Sequence, residues 1–294
     1  MKNALLIALL CMACSISGQE HTEIIKKELK FQTQNSDNLL VVENIFGDIE
    51  VQGYEGSTVQ LEIKQQFSAN SQAALETGIE EVTIDIIEKE DFIVVYLKTP
   101  CSNVKSEILK REDLDKGWRY QWGDGCRWNP KYDYRFDFKI RVPENLNIRI
   151  STINDGEVAV NKVFGAVDAN NINGGITLQD IGGPTKACTI NGDVNIIYRN
   201  NPEGESRYYT LNGDINAIYQ KGLSADVFFK SQYGDFYTDI EPITKMPTIV
   251  EKKEVKGEPG ISYKIGGTSG IKIRNGGPKL EFETFNGDVF VKEN

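Results

Sequence analysis

"TINGDVNI" at residues 189–196 returns as "TLNGDINA" at 210–217 and as "TFNGDVFV" at 284–291, close to the end of a 294-residue chain. Looser copies are "IFGDIEV" (45–51), "INDGEVAV" (153–160), "INGGITL" (172–178) and "YGDFYT" (233–238), with a weaker "TSGIKI" at 268–273. From Asn154 the steps to Asn173, Asn191, Asn212 and Tyr233 are 19, 18, 21 and 21 residues. Gly165, Gly183 and Gly204 each stand eight residues before the next Asn of the series, a second mark in the same register. A fixed step of about twenty residues is the signature of a stacked repeat.

Apolar residues keep their places around each turn. Ile153, Ile172, Ile190, Leu211 and Phe285 precede it, while Val158, Ile176, Val194, Ile215 and Val289 follow it. Val160, Leu178, Ile196, Ala217 and Val291 come two positions later. Alternation with period two implies strands with one buried face, and these columns are assigned to it. Asn-Gly is also a hairpin signal, because both residues tolerate positive φ, so an antiparallel β-meander is the alternative. A meander would show a turn signature about every 8 to 12 residues. The longer step gives roughly 60–70 Å of extended chain, enough to circle a small apolar core once.

The expected fold is therefore all-β, a parallel β-solenoid of β-helix type in which like residues of neighbouring coils lie about 4.8 Å apart. Asn154, Asn173, Gly174, Asn191, Gly192, Asp193, Asn212, Gly213, Asp214, Gly234, Asp235, Asn286, Gly287 and Asp288 become its corners. There Gly permits the tight backbone, and Asn and Asp bond their own main chain.

The remaining segments divide around this array. Residues 1–18, "MKNALLIALLCMACSISG", place Lys2 before a short apolar run and end on small residues, the pattern of a secretory signal peptide. Cleavage after Gly18 is expected, with lipid attachment at Cys14 as the alternative. Residues 19–99 read as an irregular β region that caps one end of the stack, with a short helix in "SANSQAALET". Residues 100–131 break the β pattern with a charged stretch and three Trp within eleven positions, an insertion. Residues 132–294 hold the repeats, opened by a strand that alternates Tyr132, Tyr134, Phe136, Phe138, Ile140 and Val142 with polar residues, and interrupted by a loop excursion at 241–267.

"VVENIFGDIEVQGYEG", "KIRVPENLNIRISTINDGEVAV", "VFGAVDANNINGGITLQDIGG", "KACTINGDVNI" and "LEFETFNGDVFV" resemble the bacterial β-strand-repeat domain of unknown function labelled "putative adhesin". The resemblance spans about residues 39–294, with 100–131 as its main interruption. It implies a β-solenoid of exported and envelope-associated proteins, and it brings no catalytic residues with it.

Composition narrows the chemistry. The formal charge is −10, and loss of Lys2 with the signal makes it −11, so a nucleic-acid partner, which wants clustered cations, is not expected. His21 is the one histidine and lies beside the new N-terminus, where it would be mobile; Ser-His-Asp and Cys-His catalysis are thereby set aside. Of five cysteines, Cys101, Cys126 and Cys188 survive processing. Cys101 and Cys126 flank one irregular segment and are read as a disulfide pair, while Cys188 reads as a buried thiol. No zinc spacing and no calcium nonapeptide is present, so neither metal nor cofactor is expected, and the column of Asp193, Asp214 and Asp235 is read as a solvated corner.

One cluster looks like recognition. Trp118, Tyr120, Trp122 and Trp128, with Asp124 and Arg127, suit a sugar ring or a protein surface; the other reading is a lid over the flank pinned by Cys101 and Cys126. The functional expectation is an exported, non-enzymatic, adhesin-like solenoid that meets a protein or glycan at the cell envelope. A carbohydrate-active enzyme on a β-helix scaffold and a structural or signalling envelope component are the competing classes.

Overall fold

The computed structural model describes residues 18–102, 104–115, 126–246, 250–254, 261–265 and 269–294. The expected signal peptide through residue 17 with Cys14, and Trp118, Tyr120, Trp122 and Asp124, lie outside the described residues. The protein is all-β, 56% strand and 6% helix, and its strands form two large mixed sheets that do not close into a barrel.

The N-terminal strands are β1 (Gln19–Leu29), β2 (Leu39–Glu43), β3 (Ile49–Tyr54), β4 (Val59–Ala69), β5 (Thr83–Glu88) and β6 (Phe92–Lys98). Helix α1 (Gln72–Glu81) precedes β5, and α2 (Arg111–Asp115) follows β6. The central strands are β7 (Tyr132–Pro143), β8 (Asn147–Ser151), β9 (Val158–Asn161), β10 (Val167–Asn170), β11 (Ile176–Ile181), β12 (Thr185–Cys188), β13 (Val194–Tyr198), β14 (Ser206–Asn212) and β15 (Ile215–Tyr219). The C-terminal strands are β16 (Ala225–Lys230), β17 (Phe236–Thr238), β18 (Ile243–Met246), β19 (Val250–Glu254), β20 (Ile261–Ile265), β21 (Ser269–Ile273), β22 (Lys279–Asn286) and β23 (Val289–Glu293).

Successive repeat strands alternate between the sheets. One sheet runs β1-β4-β7-β3-β9-β11-β13-β15-β23-β17 and the other β18-β21-β16-β22-β14-β12-β10-β8-β2-β6-β5, with β19 and β20 forming a separate hairpin. The repeat strands pair in parallel, with Ile176 opposite Val158 and Val194, Val194 opposite Ile215, and Ile215 opposite Val289. Parallel neighbours need a crossover connection. Here the crossover is the strand in the opposite sheet, and the Asn-Gly-Asp corner joins the two. The meander thus does not describe the repeats.

The sheets are not purely parallel. At one end β4 pairs antiparallel with β7 and β1, and β5 with β6; at the other β21 pairs antiparallel with β16 and β18. Such flanking strands cover much of the edge of the parallel stack, which would otherwise offer unpaired backbone groups to other chains. His21 accordingly sits within β1, opposite Phe67, and is not part of a loose terminus. Strand order in the sheets also departs from chain order at both ends: β2 and β3 lie between β6–β7 and β8–β9, and β22–β23 lies between β14–β15 and β16–β17.

The core fills the space between the sheets. Val158, Ile176, Val194, Ile215 and Val289, with Val160, Leu178, Ile196, Ala217 and Val291, are all at most 1% exposed. Each such branched side chain contributes up to about 1.5–3 kcal/mol by leaving water. The third predicted column behaves differently: Ile190 is 38% and Phe285 44% exposed, and Ile153, Ile172 and Leu211 are only partly buried. The residue one step earlier is inside instead, with Thr152, Thr189, Thr210 and Thr284 at 3% exposure or less. The corner shifts the phase of the alternation, so the buried Thr189 and the buried Val194 are an odd number of residues apart.

Candidate functional site

The corner is built from four kinds of rung. Its amides form a ladder: Asn173 Nδ2 donates to Asn154 Oδ1 (2.9 Å), Asn191 to Asn173 (2.8 Å), Asn212 to Asn191 (2.9 Å) and Asn286 to Asn212 (2.8 Å). The carboxylates form a second one, in which Asp193 accepts the N–H of Asp214 (2.9 Å), Asp214 that of Asp288 (2.8 Å) and Asp288 that of Asp235 (2.8 Å). The Asn rungs are the amide ladder that stacked asparagines allow, and Asp193 and Asp235 are exposed as a solvated corner requires. The correction to the sequence reading is that the Asp carboxylates accept from the N–H of another repeat rather than from their own main chain. Corner N–H groups point along the stack, so the acceptor within reach belongs to the neighbouring coil.

Threonine supplies the third rung. The hydroxyls of Thr152, Thr189 and Thr210 each donate at 2.8 Å to the corner Gly carbonyl of another coil, respectively Gly47, Gly174 and Gly192. Asn171 donates to Gly156 from the equivalent place. The repeat is therefore Thr-x-Asn-Gly-Asp, and the Thr two residues before the Asn at 152, 189, 210 and 284 was the available signal. The fourth rung is steric: a Cβ on Gly192 would collide with the Gly174 carbonyl, and one on Gly213 with that of Gly192. Gly234 and Asp235 extend the corner onto the terminal coil, where Tyr233 takes the place of Asn. The donors and acceptors of the corner turn to neighbouring repeats, and no cluster of metal-ligating side chains occurs among the described residues.

The outer face of the eleven-stranded sheet is different. A groove of about 560 Å³ crosses β8, β10, β12, β14 and β22, lined among others by Arg111, Arg149, Lys186, Arg207 and Lys279. Register places Arg149, Asp168, Lys186, Arg207 and Glu281 in one row across the strands. Asp168 takes Arg149 at 3.0 Å and Lys186 at 3.6 Å, and Glu283 takes Arg207 at 3.2 Å. Five cations line the groove together with Asp168, Glu205 and Glu281, and each has a carboxylate partner, Arg111 taking Asp91 at 3.7 Å and Lys279 pairing with Glu281. The groove thus carries a network of paired charges with a small excess of cations among its lining residues. Beside it a second groove of about 360 Å³ is floored by Ile153, Ile172, Ile190, Tyr209 and Cys188, with Arg207 shared between the two. Cys188, expected to be buried, is only half-buried there, because Ala187 is the β12 residue that turns inward.

The insertion borders this face. Leu109 and Leu114 pack with Leu39, Val41, Ile87, Phe92, Val94 and Tyr96 in a second small core on the outside of β2, β5 and β6. Arg149 Nη1 donates to the Leu114 carbonyl, so the segment meets the groove at its first cation. Cys101 and Cys126 are disulfide-bonded, with Cα atoms 5.7 Å apart. Trp128 belongs to the other sheet: its Nε1 donates to Glu81 of α1 at 3.2 Å, and its ring stacks on Tyr134 at 5.9 Å. Tyr132 donates to the same Glu81 oxygen at 2.6 Å, and burial with this carboxylate pushes its phenol well above the usual range. Trp128 thus holds a helix, while Arg127 is exposed.

A polar group inside the core escaped sequence reasoning. Tyr198, Tyr208 and Tyr219 are fully buried, with hydroxyls 2.7 Å (198–208) and 3.0 Å (219–208) apart. Burial raises all three phenols, which stay neutral and satisfy one another.

No family model and no curated protein sequence matches this chain. Three solved structures are similar in part. A "putative cell adhesion protein" of Clostridium sporogenes is 12% identical with a TM-score of 0.36, over 95% of this chain and all of that one. A "putative adhesin" of Bacteroides fragilis is 11% identical with a TM-score of 0.38, over 92% and 97%. A "putative lipid binding protein" of Parabacteroides distasonis is 9% identical with a TM-score of 0.30, over 92% and 96%. No helix among the described residues is long and apolar enough to cross a membrane.

Proposed function

We propose that the mature chain is an exported, non-enzymatic, adhesin-like β-solenoid that uses the outer face of its eleven-stranded sheet to contact a glycan or protein at the cell envelope. The observation that carries this reading is the groove lined by Arg149, Lys186, Arg207 and Lys279 with their carboxylate partners, set beside an apolar strip on the parallel strands of the sheet. The corner columns, by contrast, are occupied with holding coils together. Export is supported by the signal-like N-terminus and by the Cys101–Cys126 disulfide, which suits an oxidising compartment. Solenoid winding is supported by the parallel register of the repeats.

In this reading Trp118, Tyr120 and Trp122, with Asp124 and Arg127, extend the contact surface from the insertion, which reaches the groove at Leu114, whereas Trp128 serves packing. Asp168, Glu281 and Glu283 line or border the groove facing cations, the arrangement of a binding surface rather than of a general acid and base.

A panel of acidic and neutral polysaccharides, screened for binding and for turnover, tests the proposal. Binding without turnover that falls at least about tenfold in Lys186→Glu with Arg207→Glu supports it. Turnover abolished by a single carboxylate change would replace it with the enzymatic class, and binding indifferent to those changes and to Trp118→Ala with Trp122→Ala would remove this surface.

A further inference from the structure

The last coil of the chain is not the last coil of the stack. β16–β17 follows β14–β15 in sequence, and Tyr233 stands 21 residues after Asn212, the same step that separates Asn191 from Asn212. By spacing, β16–β17 is the next coil. In space, β22–β23 lies between the two: β22 pairs in parallel with β14 and β16, and β23 with β15 and β17. A C-terminal segment thus occupies a slot between two coils that are themselves in phase.

Its backbone bonds to the Tyr233 side include ordinary ones, Tyr233 N–H to Phe285 and Val289 N–H to Asp235 at 2.9 Å and Asp235 N–H to the Asp288 carboxylate at 2.8 Å. The unevenness lies in its hydroxyl rungs and one glycine N–H. The Asn286 amide and the Asp288 N–H make bonds of 2.8 Å to the coil on one side, like those elsewhere in the stack. The Thr284 hydroxyl, however, reaches the Gly213 carbonyl at 3.3 Å, Ser231 reaches that of Gly287 at 3.4 Å, and the Gly287 N–H reaches Tyr233 at 3.3 Å. The equivalent hydroxyl rungs at Thr152, Thr189 and Thr210 measure 2.8 Å.

The segment is also hinged and latched. Residues 274–278 carry the chain from β21 on one side of β16 to β22 on the other. In this short hinge Arg274 holds φ at 51°, a left-handed backbone that a long side chain seldom adopts. Arg274 then clasps Glu293 in a bidentate pair, Nη1 to Oε1 at 2.6 Å and Nη2 to Oε2 at 2.9 Å. Glu293 Oε1 also accepts the N–H groups of Gly222 (3.0 Å) and Leu223 (2.9 Å). One side-chain pair therefore closes the inserted segment at both ends.

We propose that β22–β23 is an exchangeable strand donor, which leaves its own slot when the Arg274–Glu293 clasp opens and fills the slot of a second copy of this chain to make a swapped dimer. The fit of the donor is already displayed within one molecule, and a swapped pair repeats those contacts. The balance is then set by hinge strain, which opening relieves, against the loss of independent motion of two chains. A short hinge under strain favours exchange.

The test mixes light and heavy-isotope mature chains at high concentration and weighs the products by native mass spectrometry. Mixed-mass dimers are expected, with an exchange rate raised about tenfold or more in Glu293→Gln. Asn216→Cys on one chain and Phe290→Cys on the other face each other across β15 and β23, so an inter-chain disulfide in the mixture locates the exchange at this slot. The double variant on one chain is the geometric control. The proposal is overturned by unmixed monomers up to millimolar concentration in the unmodified chain, or by dimers that never form the 216–290 bond although the control closes. It is equally overturned if β22–β23 amides exchange with solvent while β14 and β16 stay protected and no dimer appears, since the two in-phase coils then close on each other.

Discussion

Replacing Thr189 with Val tests whether the corner is held by its hydroxyl rungs. Thr189 is 1% exposed, and its hydroxyl lies 2.8 Å from the Gly174 carbonyl. Valine matches threonine in shape and suits a strand, so cavity and propensity effects are small. What changes is one hydrogen bond, together with a carbonyl left unsatisfied near the core, at a cost of about 1–3 kcal/mol. For a chain of this size that corresponds to a fall in Tm of roughly 2–12 °C. Urea unfolding followed by circular dichroism reads it as a shifted midpoint with an unchanged slope. Thr177→Val, at an exposed position of β11, is the control and should move stability by less than about 0.5 kcal/mol. Thr284→Val should fall between them, because its rung is stretched to 3.3 Å. If Thr189→Val and Thr177→Val are indistinguishable, the hydroxyl rung contributes nothing and the account of the corner fails.

Gly192→Ala places a Cβ against the backbone of Gly174, which cannot move aside without shifting a whole coil; a loss of roughly 3–5 kcal/mol is expected, and a loss below about 1 kcal/mol in the same denaturation assay would contradict the packing. Tyr208→Phe removes the hydroxyl shared by Tyr198 and Tyr219 and should lower stability by about 1–3 kcal/mol with no change in far-ultraviolet circular dichroism. Arg274 holds the Glu293 carboxyl below its ordinary value, so the clasp contributes fully above the usual carboxylate range and is lost as acid carries the pH down through the folded value. Hydrogen exchange along a falling pH series should therefore expose the β22–β23 amides before those of β11 and β13, and Glu293→Gln should abolish that acid step. Reducing the Cys101–Cys126 disulfide opens a cross-link spanning 25 residues and should lower the midpoint by an amount equivalent to about 2–4 kcal/mol, checked by thermal melts with and without a phosphine reductant.

Much of the corner was legible because the repeat copies identity as well as polarity. Asn173, Asn191 and Asn212 hold one register in the repeat, and an amide ladder follows once they stack. Which of Thr189 and Ile190 turns inward was not legible. Hydrophobicity favours Ile190, yet the corner breaks the parity of the strand, and the smaller Thr carries a donor that a corner carbonyl requires. The groove was illegible for a related reason: Arg149, Lys186 and Arg207 come from three separate repeats, and only strand register sets them side by side. Trp128 drew attention as an aromatic beside two others, whereas its partners, Glu81 and Tyr134, are distant in sequence or in the next strand.

Periodicity and residue type by themselves determined that this chain makes β-strands at a step of about twenty residues, with Gly where backbones touch, because those are local constraints on φ and on side-chain direction. The order in which coils lie, the antiparallel strands that flank them and the intercalation of β22–β23 were decided only by tertiary structure. Every coil offers much the same hydrogen-bonding edge to its neighbours, so the repeat says that coils will stack and is silent on which one comes next.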